Sequence, residues 1–123
     1  MSTQTVLIVE DDMWLAEQQV RVLEKAGYAA VSTPHAIAAI ERIDDVHPDV
    51  LLLDVLLTGS TGYALLHELQ SYTDTAQIPI VLCTNLAPDL KLTDLAPYGV
   101  RRILDKSVMQ PEDVVAAVKS VLL

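Results

Sequence analysis

The chain has 123 residues, enough for one domain with a buried core. Seventeen acids against eight bases leave a net charge of −9, which argues against binding a phosphate backbone, a task that depends on Lys and Arg. All eight bases lie outside positions 43–90, a span that holds seven acids, so no basic stripe restores a nucleic-acid role. An apolar fraction of 51% excludes disorder, and apolar runs such as Val50 to Leu53 are too short to span a bilayer. The opening MSTQTVLIV has no basic flank, long apolar stretch or cleavage site of a secretory signal. A single cysteine makes neither an intramolecular disulfide nor a zinc site by itself. The expectation is one cytoplasmic domain over residues 1–123, with no membrane association.

Val6 to Val9 is a continuous aliphatic run, the pattern of a strand buried on both faces, and it ends at Glu10, Asp11 and Asp12. Leu15, Val22, Leu23 and Ala26 then recur at helical spacing, with Gly27 as the stop. Ala29 to Ser32 reads as a second strand. Thr33 and Pro34 resemble an N-cap and first-turn proline, opening a helix with Ile37, Ile40 and Ile43 on one side. Val50 to Leu53 is a third strand, ending at Asp54. After Gly59 and Gly62 comes a helix carrying Leu65, Leu66 and Leu69. Ile78 to Cys83 gives a fourth strand ending at Thr84, and Asp89 to Leu95 a weaker helix stopped by Pro97 and Gly99. Ile103-Leu104 is a short fifth strand ending near Lys106. The last helix opens at Pro111 with Glu112 and Asp113 in its first turn, where the helix dipole favours acids. Val114, Val115, Val118, Val121 and Leu122 form its apolar stripe.

Five such units predict an α/β fold, a doubly wound parallel sheet with helices on both faces. Right-handed crossovers bring the carboxyl ends of all strands to one edge, where ligands of open α/β sheets bind. Glu10, Asp11, Asp54, Thr84 and Lys106 each follow a hydrophobic strand there, and they should converge. Three carboxylates in one place repel unless a proton or a cation intervenes. Magnesium suits a site with few protein oxygens, completed by water and phosphate oxygens. Lys106 is a point charge for a carboxylate or phosphoryl group, and Thr84 offers a hydroxyl. The set looks like a phosphoryl-transfer site, where positioning and charge stabilisation dominate.

Over nearly its whole length the chain resembles the response-regulator receiver domain of two-component signalling. The motifs are VLIVEDD at Val6 to Asp12, PDVLLLD at Pro48 to Asp54, Gly62, PIVLCT at Pro79 to Thr84, and Lys106, with successive intervals of 43 residues from Asp11 to Asp54, 30 from Asp54 to Thr84 and 22 from Thr84 to Lys106. The resemblance implies a flavodoxin-like (βα)5 fold with strand order 2-1-3-4-5. It implies that Asp54 accepts a phosphoryl group from a histidine kinase or histidine phosphotransfer protein. Mg2+ would be held by Glu10, Asp11, Asp54 and the backbone carbonyl of Leu56, while Lys106 and Thr84 contact the phosphoryl group. The output would be a rearranged face of fourth helix, fifth strand and last helix, which in relatives often makes partner or self contacts; a homodimer is among the expectations, with Arg101 and Arg102 near that face. Such a chain is a signalling module rather than an enzyme. Met13 and Trp14 fall where the family meets its kinase.

Some positions depart from the family pattern. Ile103 stands where an aromatic usually couples to the threonine, and Leu57-Thr58 where Met-Pro is common. Ser107 follows Lys106 in place of a cis proline, leaving the geometry of that bond open, since a cis non-proline peptide costs about 2.5–4 kcal/mol. Asp105 could compete for the Lys106 ammonium. Leu56 and Leu86 cannot orient a water, which implies a slowly hydrolysed phosphoaspartate. The rival expectation is a pseudo-receiver, an interaction module that is not phosphorylated. A flavodoxin would need a Ser/Thr/Gly-rich loop where Glu10-Asp11-Asp12 stand, and a haloacid-dehalogenase phosphatase a second Asp where Leu56 stands. Asp12 reads as a helix cap and Cys83 as a buried small hydrophobe. His35, His47 and His67 read as surface or loop residues.

Overall fold

The computed structural model describes residues 3–54 and 62–122. Five parallel strands, β1 (Thr5–Val9), β2 (Ala29–Thr33), β3 (Val50–Leu53), β4 (Ile80–Thr84) and β5 (Val100–Asp105), form one sheet in the order β2-β1-β3-β4-β5. The helices are α1 (Met13–Lys25), α2 (Ala36–Val46), α3 (Gly62–Gln70), α4 (Thr73–Ala76), α5 (Leu92–Leu95) and α6 (Pro111–Val121).

The pleat sends alternate side chains to opposite faces. Leu7, Val9, Leu51, Leu53, Ile80 and Leu82 meet Ala39 and Ile43 of α2 and Leu65, Leu66 and Leu69 of α3. Val6, Ile8, Val50, Leu52, Val81 and Cys83 meet Leu23 of α1 and Val114 and Val118 of α6. Both faces are covered, which is why the central strands read as unbroken apolar runs. At the β5 edge, Ile80 pairs with Val100 but Val81 with Arg102. Arg101 is thus an extra residue in the ladder, and both arginines are exposed.

Three local expectations need correction. Thr33 is not an N-cap: it is the buried last residue of β2, paired with Val9. His35 caps α2 instead, its Nδ1 accepting from Ala38 N at 3.3 Å. The buried stripe of α2 is Ala36, Ala39 and Ile43, while Ile37 and Ile40 are exposed; the two alanines let the helix lie close to the sheet. The helix expected over Asp89–Leu95 is only Leu92–Leu95, flanked by 3-10 turns at Ala87–Asp89 and Ala96–Tyr98. Leu90 and Lys91 are extended between them. Leu90 and Leu95 lie about 140° apart on an ideal helix, so the break is what turns both toward the same core cluster.

Candidate functional site

The residues after the strands are fixed by their backbones first. Glu10 N donates to Thr33 O, Asp54 N to Val9 O and Lys106 N to Thr84 O, each at 3.1 Å. Each strand-end residue is therefore tied to the neighbouring strand, and the ladder extends one step into the site. Asp12 caps α1 as expected, its Oδ1 accepting from Trp14 N at 3.0 Å and Leu15 N at 3.2 Å.

Carboxylate oxygens of Glu10, Asp11 and Asp54 lie within 4.8 Å of one another. Lys106 Nζ reaches into this group, 2.5 Å from Glu10 Oε1 and 2.7 Å from Asp54 Oδ2. The other Glu10 oxygen, Oε2, accepts from Asp12 N at 3.1 Å. Glu10 and Asp54 are nearly sealed, at 3% and 6% exposure. Burial pushes the Glu10 carboxyl above its ordinary range, against the opposing pull of the Lys106 and Asp12 hydrogen bonds. Burial alone would lower the Lys106 ammonium, but its bonds to Asp54 and Glu10 and their charges together raise it. One ammonium thus answers two buried carboxylates, and Asp11 stands half-exposed beside them. A hard cation with oxygen ligands fits that donor set.

Thr84 is fully buried, and its Oγ1 accepts from Leu86 N at 3.1 Å. Asp105 does not compete for Lys106. Its Oδ1 instead accepts from Ser107 N at 2.9 Å and Ser107 Oγ at 2.7 Å, and those bonds hold its carboxyl below the usual range. The Lys106–Ser107 peptide is trans, and the Asp105–Ser107 turn closes the loop that a proline would otherwise shape. Leu56, with its expected carbonyl ligand, and Leu57, Thr58 and Gly59 lie outside the described residues.

The sequence profile of the response regulator receiver domain matches residues 6–119. The chain belongs to this family. It is 31% identical over 98% of its length to the transcriptional regulatory protein BaeR of Escherichia coli, covering 49% of that protein. It is also 31% identical over 99% of its length to the phosphate regulon transcriptional regulatory protein PhoB of Pseudomonas aeruginosa, covering 53%. The chain thus spans about half the length of these curated relatives. Among solved structures, a chain described as a response regulator from Chloroflexus aurantiacus superposes with a TM-score of 0.84 at 32% identity, covering 98% of both chains. The chemotaxis protein CheY4 of Vibrio cholerae, at 22% identity, shares the fold with a TM-score of 0.87 over 98% of this chain and 100% of its own. Among the described residues, no helix of this receiver is long and apolar enough to cross a membrane.

Two features of the receiver escaped the sequence reading. Gln19, in the middle of α1, is 2% exposed. Its Nε2 lies 3.6 Å from Cys83 Sγ, and its Oε1 has no hydrogen-bond partner among the described residues. Cys83 Sγ also meets Met109 Sδ at 3.3 Å. Helical spacing alone gave a weak signal for Gln19, since it falls between Ala16 and Leu23 on the buried stripe of α1. The three histidines are exposed, as expected. His35 caps α2, and His67 sets its ring edge-on to Tyr98 at 4.9 Å between centroids.

Proposed function

We propose that this receiver is a phosphorelay switch in which Asp54 accepts a phosphoryl group from a phosphohistidine on a kinase or phosphotransfer protein. The observation that carries the reading is the buried Asp54 carboxylate, 2.7 Å from the Lys106 ammonium and within 4.8 Å of two further carboxylates. A structural carboxylate needs one counter-charge; a group of three with one lysine has capacity for a second cation. Glu10, Asp11 and Asp54, with the Leu56 carbonyl, would hold Mg2+, which supplies neutralisation of the carboxylates and the incoming phosphoryl oxygens.

In the transfer an Asp54 oxygen attacks phosphorus in line with the leaving nitrogen. A P–O bond forms and the N–P bond breaks, its electron pair staying on the histidine ring, which gains a proton. Lys106 is positioned to leave the Asp54 oxygen for the phosphoryl oxygens. Thr84 exchanges its acceptor bond from Leu86 N–H for a donor bond from its hydroxyl to the phosphoryl group. The new group adds about −1.5 to −2 charges. That change biases the segment after β4, where short turns and an extended Leu90-Lys91 replace a continuous helix. Met13, Trp14 and Val108 are 76%, 81% and 71% exposed on the two segments that carry Glu10–Asp12 and Lys106, an apolar rim suited to the phosphodonor protein.

Intact mass after incubation with acetyl phosphate and magnesium tests the reading. One added phosphoryl is expected, absent without magnesium and absent in Asp54→Asn. No addition, together with failure to bind beryllofluoride and magnesium, would overturn it in favour of a non-phosphorylated interaction module.

A further inference from the structure

Among the described residues seven large hydrophobic side chains are exposed, and six of them fall in two regions, with Leu92 standing apart. Met13, Trp14 and Val108 flank the carboxylate site. Ile37, Ile40 and Tyr72 belong to a second region, away from it, where α2 meets α3 and α4. There a groove of about 300 Å³ runs between the helices. Buried Ile43 and Leu69, with exposed Ile40 and Tyr72, make its apolar lining. Ile37 extends the stripe one turn back along α2, since residues three apart share a helix face. Thr75 and three carboxylates, Asp44, Glu68 and Asp74, complete the lining. Among the described residues none of these three carboxylates is in an ion pair. No lysine or arginine lines the groove, Arg42 of the same helix included.

We propose that this groove docks a cationic amphipathic helix of a partner protein, with apolar side chains on Ile40, Ile43, Leu69 and Tyr72 and Lys or Arg side chains against Asp44, Glu68 and Asp74. The volume is at the lower end of small-molecule sites, about 300–1,000 Å³, so it takes one or two side chains rather than a whole metabolite. The apolar surface continues outside it from Ile37 to Tyr72, which suits a longer ligand. A helix laid in a groove between helices presents apolar anchors three and four residues apart with charges beside them. The charge selects among occupants: three carboxylates without counter-ions favour a cationic partner and disfavour anionic lipid or nucleic acid. A second copy of this chain, itself at −9, brings a like net charge. This inference is independent of the chemistry at Asp54, which shares no residue with the groove.

The test is an NMR titration of the isotope-labelled 123-residue chain with a synthetic amphipathic leucine–lysine helical peptide, with the leucine–glutamate version as control. Shifts are expected at Ile40, Asp44, Glu68, Tyr72 and Thr75, weakened by salt and absent with the glutamate peptide. Asp44→Lys/Glu68→Lys should weaken binding about tenfold or more, equivalent to about 1.4 kcal/mol. Tyr72→Ala, an exposed truncation that leaves the fold intact, should weaken it as well. Shifts centred on Glu10, Asp11 and Asp54, equal response to both peptides, or self-association of the free chain through these same residues would each overturn the proposal.

Discussion

Leu53 and Asp54 are neighbours, 0% and 6% exposed; Val9 and Glu10 are 0% and 3%; Cys83 and Thr84 are 2% and 0%. Crossing from strand to carboxyl edge changes the burial hardly at all and inverts the chemistry. Inside the sheet, Leu7, Leu51, Leu52 and Leu82 gain from leaving water and from close packing on both faces. At the edge, two carboxylates lose their hydration, and one ammonium lies against both. Apolar groups of the same shape would serve stability as well or better there. The sheet interior therefore holds the fold, and the edge is kept charged against the interest of the fold. That separation explains how a reactive constellation can sit on a rigid frame: the strands fix the backbone, and only side chains bear the unfavourable electrostatics.

The largest effects should come from breaking the interior. Leu52→Ala leaves a cavity on the face under α1 and α6, and unfolding in urea should show a loss of about 3 kcal/mol. A loss under about 1 kcal/mol would mean that this face collapses around the cavity and is less tightly packed than the contacts suggest. Lys106→Met breaks the edge instead. It leaves Glu10 and Asp54 buried without their counter-ion, with an expected loss of about 2–3 kcal/mol in metal-free buffer. Magnesium should restore much of it in the variant and add less to the wild type, where Lys106 already occupies the carboxylates. Equal magnesium dependence in both proteins would show that the lysine and the cation do not share ligands.

The same contrast governs what was legible in the sequence. Val6–Val9, Val50–Leu53 and the fourth strand announce themselves because a strand buried on both faces has no polar residue to interrupt it. The fourth, expected over Ile78–Cys83, nevertheless runs Ile80–Thr84, and the fifth, expected at Ile103-Leu104, runs Val100–Asp105. The polar residue that ends an unbroken apolar run marks the edge, and so Glu10, Asp54 and Thr84 could be placed there before any coordinates. Lys106 lies past Asp105 at the end of a strand with two exposed arginines and stands out only beside the other site residues. Helices gave less. On α2 the apolar residues outnumber the buried positions, so periodicity picked Ile37 and Ile40 where small Ala36 and Ala39 do the packing. After β4, burying both Leu90 and Leu95 requires a break that no local propensity encodes. Asp105 reads as a rival for Lys106 because nearness in sequence is visible and its turn with Ser107 is not. Gln19 was missed because a polar residue on a helix is by default assigned to solvent.

Gln19 is the exception that sharpens the comparison, since it brings an unmet polar atom from the edge into the interior. Its Oε1 is buried without a hydrogen-bond partner among the described residues, and such a group costs about 1–3 kcal/mol. Gln19→Leu removes the amide with little change of volume and forfeits only the long contact to Cys83 Sγ. The expected outcome is a gain of about 1 kcal/mol in urea unfolding, with phosphoryl uptake at Asp54 unchanged. A loss of stability would mean that the amide oxygen is satisfied in solution by bound water in the small cavity it lines with Lys106 and Met109.

Cys83 gives the smallest effect on stability near neutral pH and the most local one. It lies on the interior side of the boundary, next to Thr84, and burial pushes its thiol up to about 12 although the Lys106 charge opposes the shift. In the unfolded chain a cysteine loses its proton near 8.5. Below that value the native environment costs nothing; as pH rises from there toward 12, the folded state keeps a proton that the unfolded state releases, and stability falls. At pH 8 the native thiol is thus almost wholly protonated, whereas about a quarter is ionised when unfolded. Alkylation by iodoacetamide, followed by intact mass, should therefore run far slower in native buffer than in urea. Leu52→Ala, by making opening easier, should recover part of that rate. Fast alkylation of the native wild-type chain would place Cys83 with the accessible edge rather than the interior, and the boundary between the two would have to be drawn one residue earlier on β4.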